Sequence, residues 1–493
     1  MLVTGIVNNR THLLRSVGFG AAALLLAIVF GIVAGIGNDL LLAIFGAGCL
    51  CFVLFAFTQF VNTSFPQLAL LVVISLFFIL EIIHKTWGLP LYGYWQALIL
   101  GIGFWGLKGL WKEISGSFVL KLSALSFAGF LLVAIISTLL ASYITADASL
   151  YQFLSDLKLP LALAFGIFMA SKVDIASALE RTIVVIVPII IIFLFLQWVA
   201  PGAYLAVFRA SRIPVELAGI FPSPGLSIFN HPSILAATTA ALSIYCFAKW
   251  QIYKKQSGYT WVALLVLVFL LIASNQRQEI FAFILAVSSI YFFISRQGVA
   301  KRVLFAAVVS LAVFSMYAFV FGDMFKREEA SWGISSSHAA THPRAQLYEG
   351  AVYLAKAYFP LGSGLGTYGG AGSSKFDLAL PYKLGFSHTW WWQEKEAYLL
   401  DTYWPNSLAE SGVLGALLLL LHYLFFGLHA FVKAHRAQSA QARMAWLCAG
   451  GSFMWVLFNT PTSPGFQEIR LLFFPALMFG MAVHLDRKIT NNE

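Results

Sequence analysis

The sequence predicts an all-α polytopic membrane protein with about fourteen transmembrane helices and one large, partly helical external loop. Three observations support this fold class. The 493-residue chain is 60% hydrophobic and only 11% charged, which excludes an ordinary soluble domain. Apolar runs of about 20 residues, long enough to cross the bilayer core, recur along it. A single long polar and aromatic stretch, residues 322–411, interrupts them.

Fourteen runs are predicted as spans from their length and hydropathy. They cover residues 16–36, 40–61, 66–83, 92–110, 121–143, 153–171, 182–199, 231–249, 260–273, 279–295, 303–321, 412–432, 445–457 and 468–484. The first follows Arg10 and Arg15 without a convincing cleavage site, so it is interpreted as a retained signal anchor. The chain therefore divides into amino-terminal helices (1–199), central helices (200–321), the loop (322–411) and carboxyl-terminal helices (412–493).

The basic residues behind the net charge of +10 are distributed unevenly among the loops. This distribution indicates the membrane topology and not a surface that binds nucleic acid. Lys and Arg concentrate in the segments that are internal if the amino terminus is cytoplasmic. The short external loops hold only Lys85, Lys158, Arg277 and Arg470. An even number of spans then places both termini in the cytoplasm. The four cysteines lie inside apolar runs, so no disulfide framework is expected.

Residues 200–230 form the first long external segment. Tyr204, Leu205 and Phe208 have helical spacing, which predicts a short helix lying in the outer membrane interface. Arg209 and Arg212 follow it, either as interfacial anchors or as anion-binding groups.

Arg277 lies in the tight external turn Ser-Asn-Gln-Arg-Gln-Glu at 274–279. An arginine near membrane depth is costly unless it faces a polar cavity or has a partner, so it is a candidate functional residue. Glu279 is the alternative, as its partner in a purely structural pair.

The long loop contains a predicted helix and a glycine-rich segment. Residues 343–358 place Leu347, Ala351 and Leu354 on one apolar face, with Arg344 in the first turn as an anion-binding or solvent-exposed group. Residues 362–372 lack the strand and the Lys-Ser/Thr of a Walker loop. They are expected to form turns that allow close backbone approach to a ligand.

Asp401 is the candidate general base, because it lies just before the chain re-enters the membrane and beside several aromatic residues. A counter-ion or a helix cap is the alternative role. Glu410 enters the next span and needs a structural partner. The candidates for contacts to sugar or acceptor are His342, His388, Tyr403, Trp404 and Glu410.

The order of these features resembles the superfamily of O-antigen polymerases and O-antigen ligases of bacterial envelopes. The residues that carry the resemblance are Asn-His-Pro at 230–232, Ser-Asn-Gln-Arg at 274–277 and Leu-Ala-Glu-Ser-Gly-Val-Leu-Gly at 408–415, within about 229–415. The ligase branch typically has a His-Asn pair nine residues before the glutamate. Asp401 and Thr402 stand there in this chain, which favours the polymerase branch.

The resemblance implies a metal-independent glycosyltransferase without cofactors, which polymerises undecaprenyl-diphosphate-linked repeat units at the periplasmic face of the bacterial inner membrane. Arg277 and Asp401 would be catalytic, while Arg212, Arg344 and Arg209 would bind the substrate diphosphate. Lipid-linked glycans serve as donor and acceptor, the bilayer is the other partner, and a chain-length regulator is a further candidate. The alternatives are ligation to lipid A-core and transport of lipid-linked or anionic solutes, which predicts ionisable residues deep within several spans.

Overall fold

The chain folds into a helical bundle in the computed structural model, which describes residues 66–89, 91–141, 145–209, 222–253, 258–294, 343–389, 391–392, 399–400 and 402–490. No strand occurs in these ranges, so the all-α fold class is confirmed for them. The helices are α1 (Pro66–Trp87), α2 (Tyr92–Gly116), α3 (Phe118–Leu140), α4 (Ala146–Asp156), α5 (Lys158–Ala170), α6 (Ile175–Val199), α7 (Pro201–Val207), α8 (Pro232–Tyr253), α9 (Gly258–Ala273), α10 (Arg277–Ile294), α11 (Pro343–Ala357), α12 (Ala371–Phe376), α13 (Ala379–Lys383), α14 (Trp404–Arg436), α15 (Ala440–Asn459) and α16 (Ile469–Thr490).

Within these ranges, eight helical segments are long and apolar enough to cross a membrane, with α4 and α5 forming one of them together. This confirms a membrane protein. Each predicted span inside the described ranges falls on a helix. The predicted spans at 16–36, 40–61 and 303–321 lie outside the described residues, so the count of fourteen stays a prediction.

Close helix packing occurs at the centre of the bundle, where α5 lies against α2 and α16. A Cβ atom added to Gly166 of α5 would collide with the carbonyl oxygen of Ala476 on α16. The two backbones therefore touch directly, as small residues permit in membrane helices. In the same core, the ring of Trp95 packs tilted against Phe77 and edge to face against Phe473, while Phe77 and Phe473 stack on each other. This apolar core fixes the ends of the helices that carry the polar residues.

The bundle has two polar ends. We call the loop end the one where α1, α6, α9 and α15 end and where α8, α10, α14 and α16 begin. Its contacts include Arg470 with Glu81, and Asn459 with Glu279. At the opposite end, Lys433 pairs with Asp486.

The long loop has a small core of its own, which rests on the first turns of α14. Leu347, Ala351 and Leu354 of α11 are buried in it, so the predicted apolar face of this helix is confirmed. Tyr368 and Trp391 complete the core and are fully buried. The described part of the loop is therefore a packed cap on one helix end.

Candidate active site at the loop end

The turn that follows α15 gathers segments from distant parts of the chain. The Nδ2 atom of Asn459 donates a hydrogen bond to Glu279 Oε1 at 2.6 Å. At the next residue, the carbonyl oxygen of Thr460 accepts from the backbone N–H of Tyr403 at 3.2 Å. The indole of Trp404 donates to Thr460 Oγ1 at 2.8 Å. The Arg277 helix and the stretch that follows Asp401 are thus joined to the same turn.

Arg344 is carried to this turn by its helix. Tyr348 lies one helical turn after Arg344 on the same face of α11. The Tyr348 hydroxyl donates to the carbonyl oxygen of Pro461 at 3.0 Å. Burial raises the pKa of Tyr348 to about 12, and the positive charge of Arg344 acts in the opposite direction. We call residues 459–461 the gathering turn.

Arg277 is the first residue of α10 and is partly buried. Asn275, two residues before Arg277, has a φ of 55°, and the chain reverses tightly there between α9 and α10. Gln276 accepts a hydrogen bond from Ser233 at 2.9 Å, so the turn is tied to the start of α8. Glu279, predicted as the alternative partner of Arg277, is 1% exposed and is held by Asn459. These contacts fix where the guanidinium leaves the helix.

The segment around Asp401 is packed on both sides, although Asp401 itself lies outside the described residues. Leu399 and Thr402 are buried. Tyr403 is also buried, and its hydroxyl hydrogen-bonds that of Tyr423 at 2.5 Å. Tyr403, predicted as a sugar contact, therefore fastens this segment to the bundle, whereas Trp404 remains partly exposed.

The glycine-rich segment approaches the protein's own helix at close range. Both oxygens of the Glu410 carboxylate accept backbone hydrogen bonds, from Gly366 at 2.9 Å and from Tyr368 at 3.0 Å. The expectation that Glu410 has a structural partner is met by these two N–H groups. These bonds direct the carboxylate at the loop backbone, and Glu410 is only 1% exposed.

The same contact depends on two glycines, Gly362 and Gly412. Their φ angles are 85° and 67°, in the left-handed region that glycine tolerates. A Cβ on either would collide with the backbone of the other segment. At Gly412 the long helix α14 is interrupted, because its φ and ψ of 67° and −173° are not helical. The loop and α14 are thereby interlocked.

Replacing Glu410 with alanine is expected to lower the free energy of unfolding by about 1–3 kcal/mol. The substitution leaves two buried N–H groups without acceptors, and relief of the carboxylate's desolvation offsets part of that cost. Thermal unfolding of the detergent-purified protein measures the effect. Glu349, exposed on α11 of the same loop, provides the matched control, and its replacement with alanine should change stability by less than about 0.5 kcal/mol. Equal stability of the two variants would contradict a supporting role for Glu410.

Arg470 forms a second polar cluster that sequence reasoning did not select. Its guanidinium binds Glu468 with Nε and Nη2 at 3.0 and 3.3 Å, and it reaches Glu81 Oε1 with Nη1 at 3.3 Å. The group also stacks 4.5 Å from the ring centroid of Tyr92. Two carboxylates thus share one guanidinium, in the fork geometry that favours arginine over lysine. This clamp joins the ends of α1, α2 and α16.

Lys85 holds the segment that leads into α8. Its ammonium is fully buried, donates to the carbonyl oxygens of Ser227 and Phe229, and lies 5.0 and 5.1 Å from the ring centroids of Tyr204 and Phe208. The predicted short helix is confirmed as α7, Pro201–Val207. The side chains of Tyr204 and Phe208 are buried and face the bundle. The prediction that this face lies in the membrane interface was wrong for these two residues, because their rings cover the lysine instead.

A buried network under the loop was also missed. Asp156 Oδ1 accepts hydrogen bonds from Gln467 at 2.8 Å and Gln152 at 3.3 Å. Gln152 in turn accepts from the N–H of Gly372 at 3.2 Å. The sequence did contain a signal for these residues, since Glu81 and Asp156 lie inside predicted apolar spans. A carboxylate in such a span is a candidate functional residue.

The remaining predicted site residues are more dispersed. Arg212 and His342 lie outside the described residues, as does Asp401. Arg209 is exposed two residues after α7 ends, and His388 is exposed at the end of the 3-10 turn Phe386–His388. Among the described candidates, Tyr403 and Trp404 contact the gathering turn directly, and the helices that begin near Arg277 and Arg344 contact it through Glu279 and Tyr348. The structure leaves Arg209 on the surface near the Lys85 contact.

The loop end thus combines arginines, buried carboxylates and a packed cap on a membrane bundle. Compared with models of known protein families the chain matches none, and no curated protein sequence matches it significantly. The geometry therefore carries the functional argument, and the resemblance noted in the motifs stays a prediction.

Proposed function

We propose that this protein polymerises undecaprenyl-diphosphate-linked oligosaccharide repeat units at the outer face of the bacterial inner membrane, by transferring the growing glycan to an acceptor sugar hydroxyl. The observation that carries the proposal is the gathering turn. Residues 459–461 bind the helix of Arg277, the helix of Arg344 and the stretch beginning at Thr402, directly after Asp401. These three segments are at one end of the bundle, the level at which the headgroup of a membrane lipid is found.

The arginines suit the leaving group. As the bond between the anomeric carbon and the phosphate oxygen breaks, both electrons pass to the lipid diphosphate, whose charge must be stabilised. Guanidinium groups bind phosphate oxygens in pairs, and preorganised cations are effective in a cleft of low dielectric. Arg277 takes this role first, since its turn is fixed by Ser233 and Asn459. Arg344 assists, and Arg209 and Arg212 keep the diphosphate-binding role that the resemblance implies.

Asp401 completes the step as the general base. The acceptor hydroxyl oxygen forms the new bond to the anomeric carbon, and Asp401 takes the proton that this hydroxyl loses. The products are a glycan longer by one transfer and the free lipid diphosphate. The reaction needs no oxidant, reductant or activated nucleotide.

The arrangement of charges also supports an orientation. In the short connections between described helices, the loop end has only Lys85, Lys158, Arg277 and Arg470, whereas Lys and Arg are more numerous at the opposite end: Lys108, Lys112, Lys172, Arg181, Lys249, Lys433, Arg436, Arg443, Arg487 and Lys488. The positive-inside rule then assigns that end to the cytoplasm, and we propose that both termini lie on the same side. The loop end faces the periplasm in this proposal, where lipid-linked repeat units are polymerised.

Transport is less well supported, because it needs ionisable groups through the depth of the bundle. The buried ionisable side chains of the described spans fall in two layers, one at each end, apart from His422, which hydrogen-bonds Ser123. The loop-end layer consists of Glu81, Lys85, Asp156, Glu279 and Glu410. Ligation to lipid A-core is a better-supported alternative than transport. Asp401 and Thr402 argue against ligation, because ligases typically have a His-Asn pair at these two positions.

The purified protein, incubated with lipid-linked repeat units with and without a lipid A-core acceptor, tests the proposal. We expect a ladder of lipid-linked polymers in both reactions, resolved by gel electrophoresis and mass spectrometry. Transfer of the glycan only to the core would establish a ligase instead. The absence of both products from an intact, monodisperse preparation would contradict glycosyl transfer.

A further inference from the structure

A cavity of about 750 Å³ opens at the opposite end of the bundle, away from the candidate active site. It lies between the turn joining α5 to α6, the last turns of α8 and α16, and the first turns of α15. Its volume is that of a small-molecule site. The polar side chains that line it include Lys172, Glu180, Tyr245, Lys249, His484 and Lys488.

The charge balance inside the cavity favours an anion. Lys249 pairs with Glu180 at 2.6 Å, and Asp174 caps α6 by accepting from the N–H of Ser177 at 3.3 Å. Both acidic groups of the lining are thus engaged by donors within the protein. Lys172 and Lys488 come from separate elements and are exposed, and neither forms an ion pair with a described residue. Three lysines against two carboxylates give the lining a net positive charge, and Lys172 and Lys488 are the lysines outside the ion pair.

The apolar part of the lining continues along the membrane-facing side of α6. Ala176 and Glu180 line the cavity. The positions that lie within about 60° of Glu180 further along the helix are Val184, Ile191 and Phe195. Val184 and Phe195 are 55% and 61% exposed. A ligand with an anionic head and an apolar chain matches both surfaces, whereas a soluble anion matches only the first.

We propose that this cavity binds the phosphate-bearing headgroup of an anionic phospholipid, with Lys172 and Lys488 contacting the phosphate and an acyl chain lying along α6. Basic pockets between membrane helices are suited to such headgroups. The hydroxyl of Tyr253 and the amide of Gln441 also line the cavity and are available to a glycerol headgroup. This inference is independent of the reaction at the other end.

Native mass spectrometry of the delipidated, full-length protein tests the site, with phosphatidylglycerol and phosphatidylcholine added separately. The wild-type chain should retain phosphatidylglycerol in preference to phosphatidylcholine. The double variant Lys172→Gln/Lys488→Gln should bind phosphatidylglycerol about 25-fold more weakly, since one basic residue contributes about fivefold. A second variant, Ala176→Phe, should also lose the lipid, because the ring fills the cavity without changing charge.

The matched control is Lys108→Gln/Lys112→Gln, which removes two exposed lysines of α2 at the same end but outside the cavity. It should retain the lipid as the wild type does, and melting temperatures identify any variant that fails to fold. Equal loss in both double variants, or retention in Ala176→Phe, would overturn the proposal. Equally strong binding of glycerol 3-phosphate or inorganic phosphate would overturn the assignment to a lipid.

Discussion

Replacing Arg277 with alanine is expected to lower the rate of polymer formation by about 10² to 10³-fold, the cost of one preorganised donor to a developing anion. The guanidinium begins a helix whose position is fixed by Ser233 at Gln276 and by Asn459 at Glu279. Because these contacts do not involve the Arg277 side chain, its truncation leaves the turn anchored. Initial rates with lipid-linked repeat units at saturating concentration measure the loss.

Two further variants distinguish the loss of charge and of contact geometry from a general loss of folded protein. Arg277→Lys keeps the charge but loses the two-pronged contact with phosphate, so we expect intermediate activity. Arg181→Ala removes an exposed arginine at the opposite end of the bundle and should retain the wild-type rate. Wild-type polymer length and rate in Arg277→Ala would exclude this residue from the mechanism.

Replacing Asp401 with asparagine is expected to lower the rate by about 10² to 10⁴-fold, the range of general-base catalysis. Asparagine has nearly the same shape, so the packing of the neighbouring Leu399 and Thr402 should be kept, while the ability to accept a proton is lost. Affinity for the donor lipid should change little, because the diphosphate is bound by arginines. Rates and donor binding, measured on the same preparation, distinguish the two effects.

Glu349→Gln is the control for the carboxylate, since Glu349 is exposed on α11 within the same loop. It should have the wild-type rate. A full rate in Asp401→Asn would assign Asp401 to its alternative role as a counter-ion or helix cap. An equal loss of rate in both variants would indicate that the reaction depends on the overall charge of the loop. It would not support Asp401 as a specific base.

Local patterns predicted the elements of the site well. The apolar face of α11 was readable from the spacing of Leu347, Ala351 and Leu354, since each turn of a helix repeats after about 3.6 residues. The tight turn before Arg277 was likewise marked by its polar residues between two apolar runs. Such features depend on neighbours in sequence, and these are what periodicity and hydropathy report.

Pairings between distant residues were not readable in the same way. Arg470 and Glu81 are 389 positions apart, and nothing local indicates that one guanidinium joins them. The glycine-rich segment was expected to approach a ligand, yet it approaches Glu410, because glycine permits close contact without specifying the partner. Lys85 was treated as an external loop charge, whereas two carbonyl oxygens and two rings enclose it.

The break at Gly412 has a consequence for how the protein tolerates its bilayer. As one straight rod, the 33 residues of α14 would measure about 50 Å, far more than the apolar thickness of a membrane, about 30 Å. A helix of that length has to tilt when the bilayer becomes thinner. Because α14 is broken at Gly412, residues 413–436 form a separate helix of about 36 Å, close to the apolar thickness, whereas residues 404–411 are fastened to Thr460 and to the glycine-rich segment. The residues that flank Asp401 are therefore positioned by contacts within the protein, and a change in acyl-chain length is expected to act first on the helix beyond Gly412.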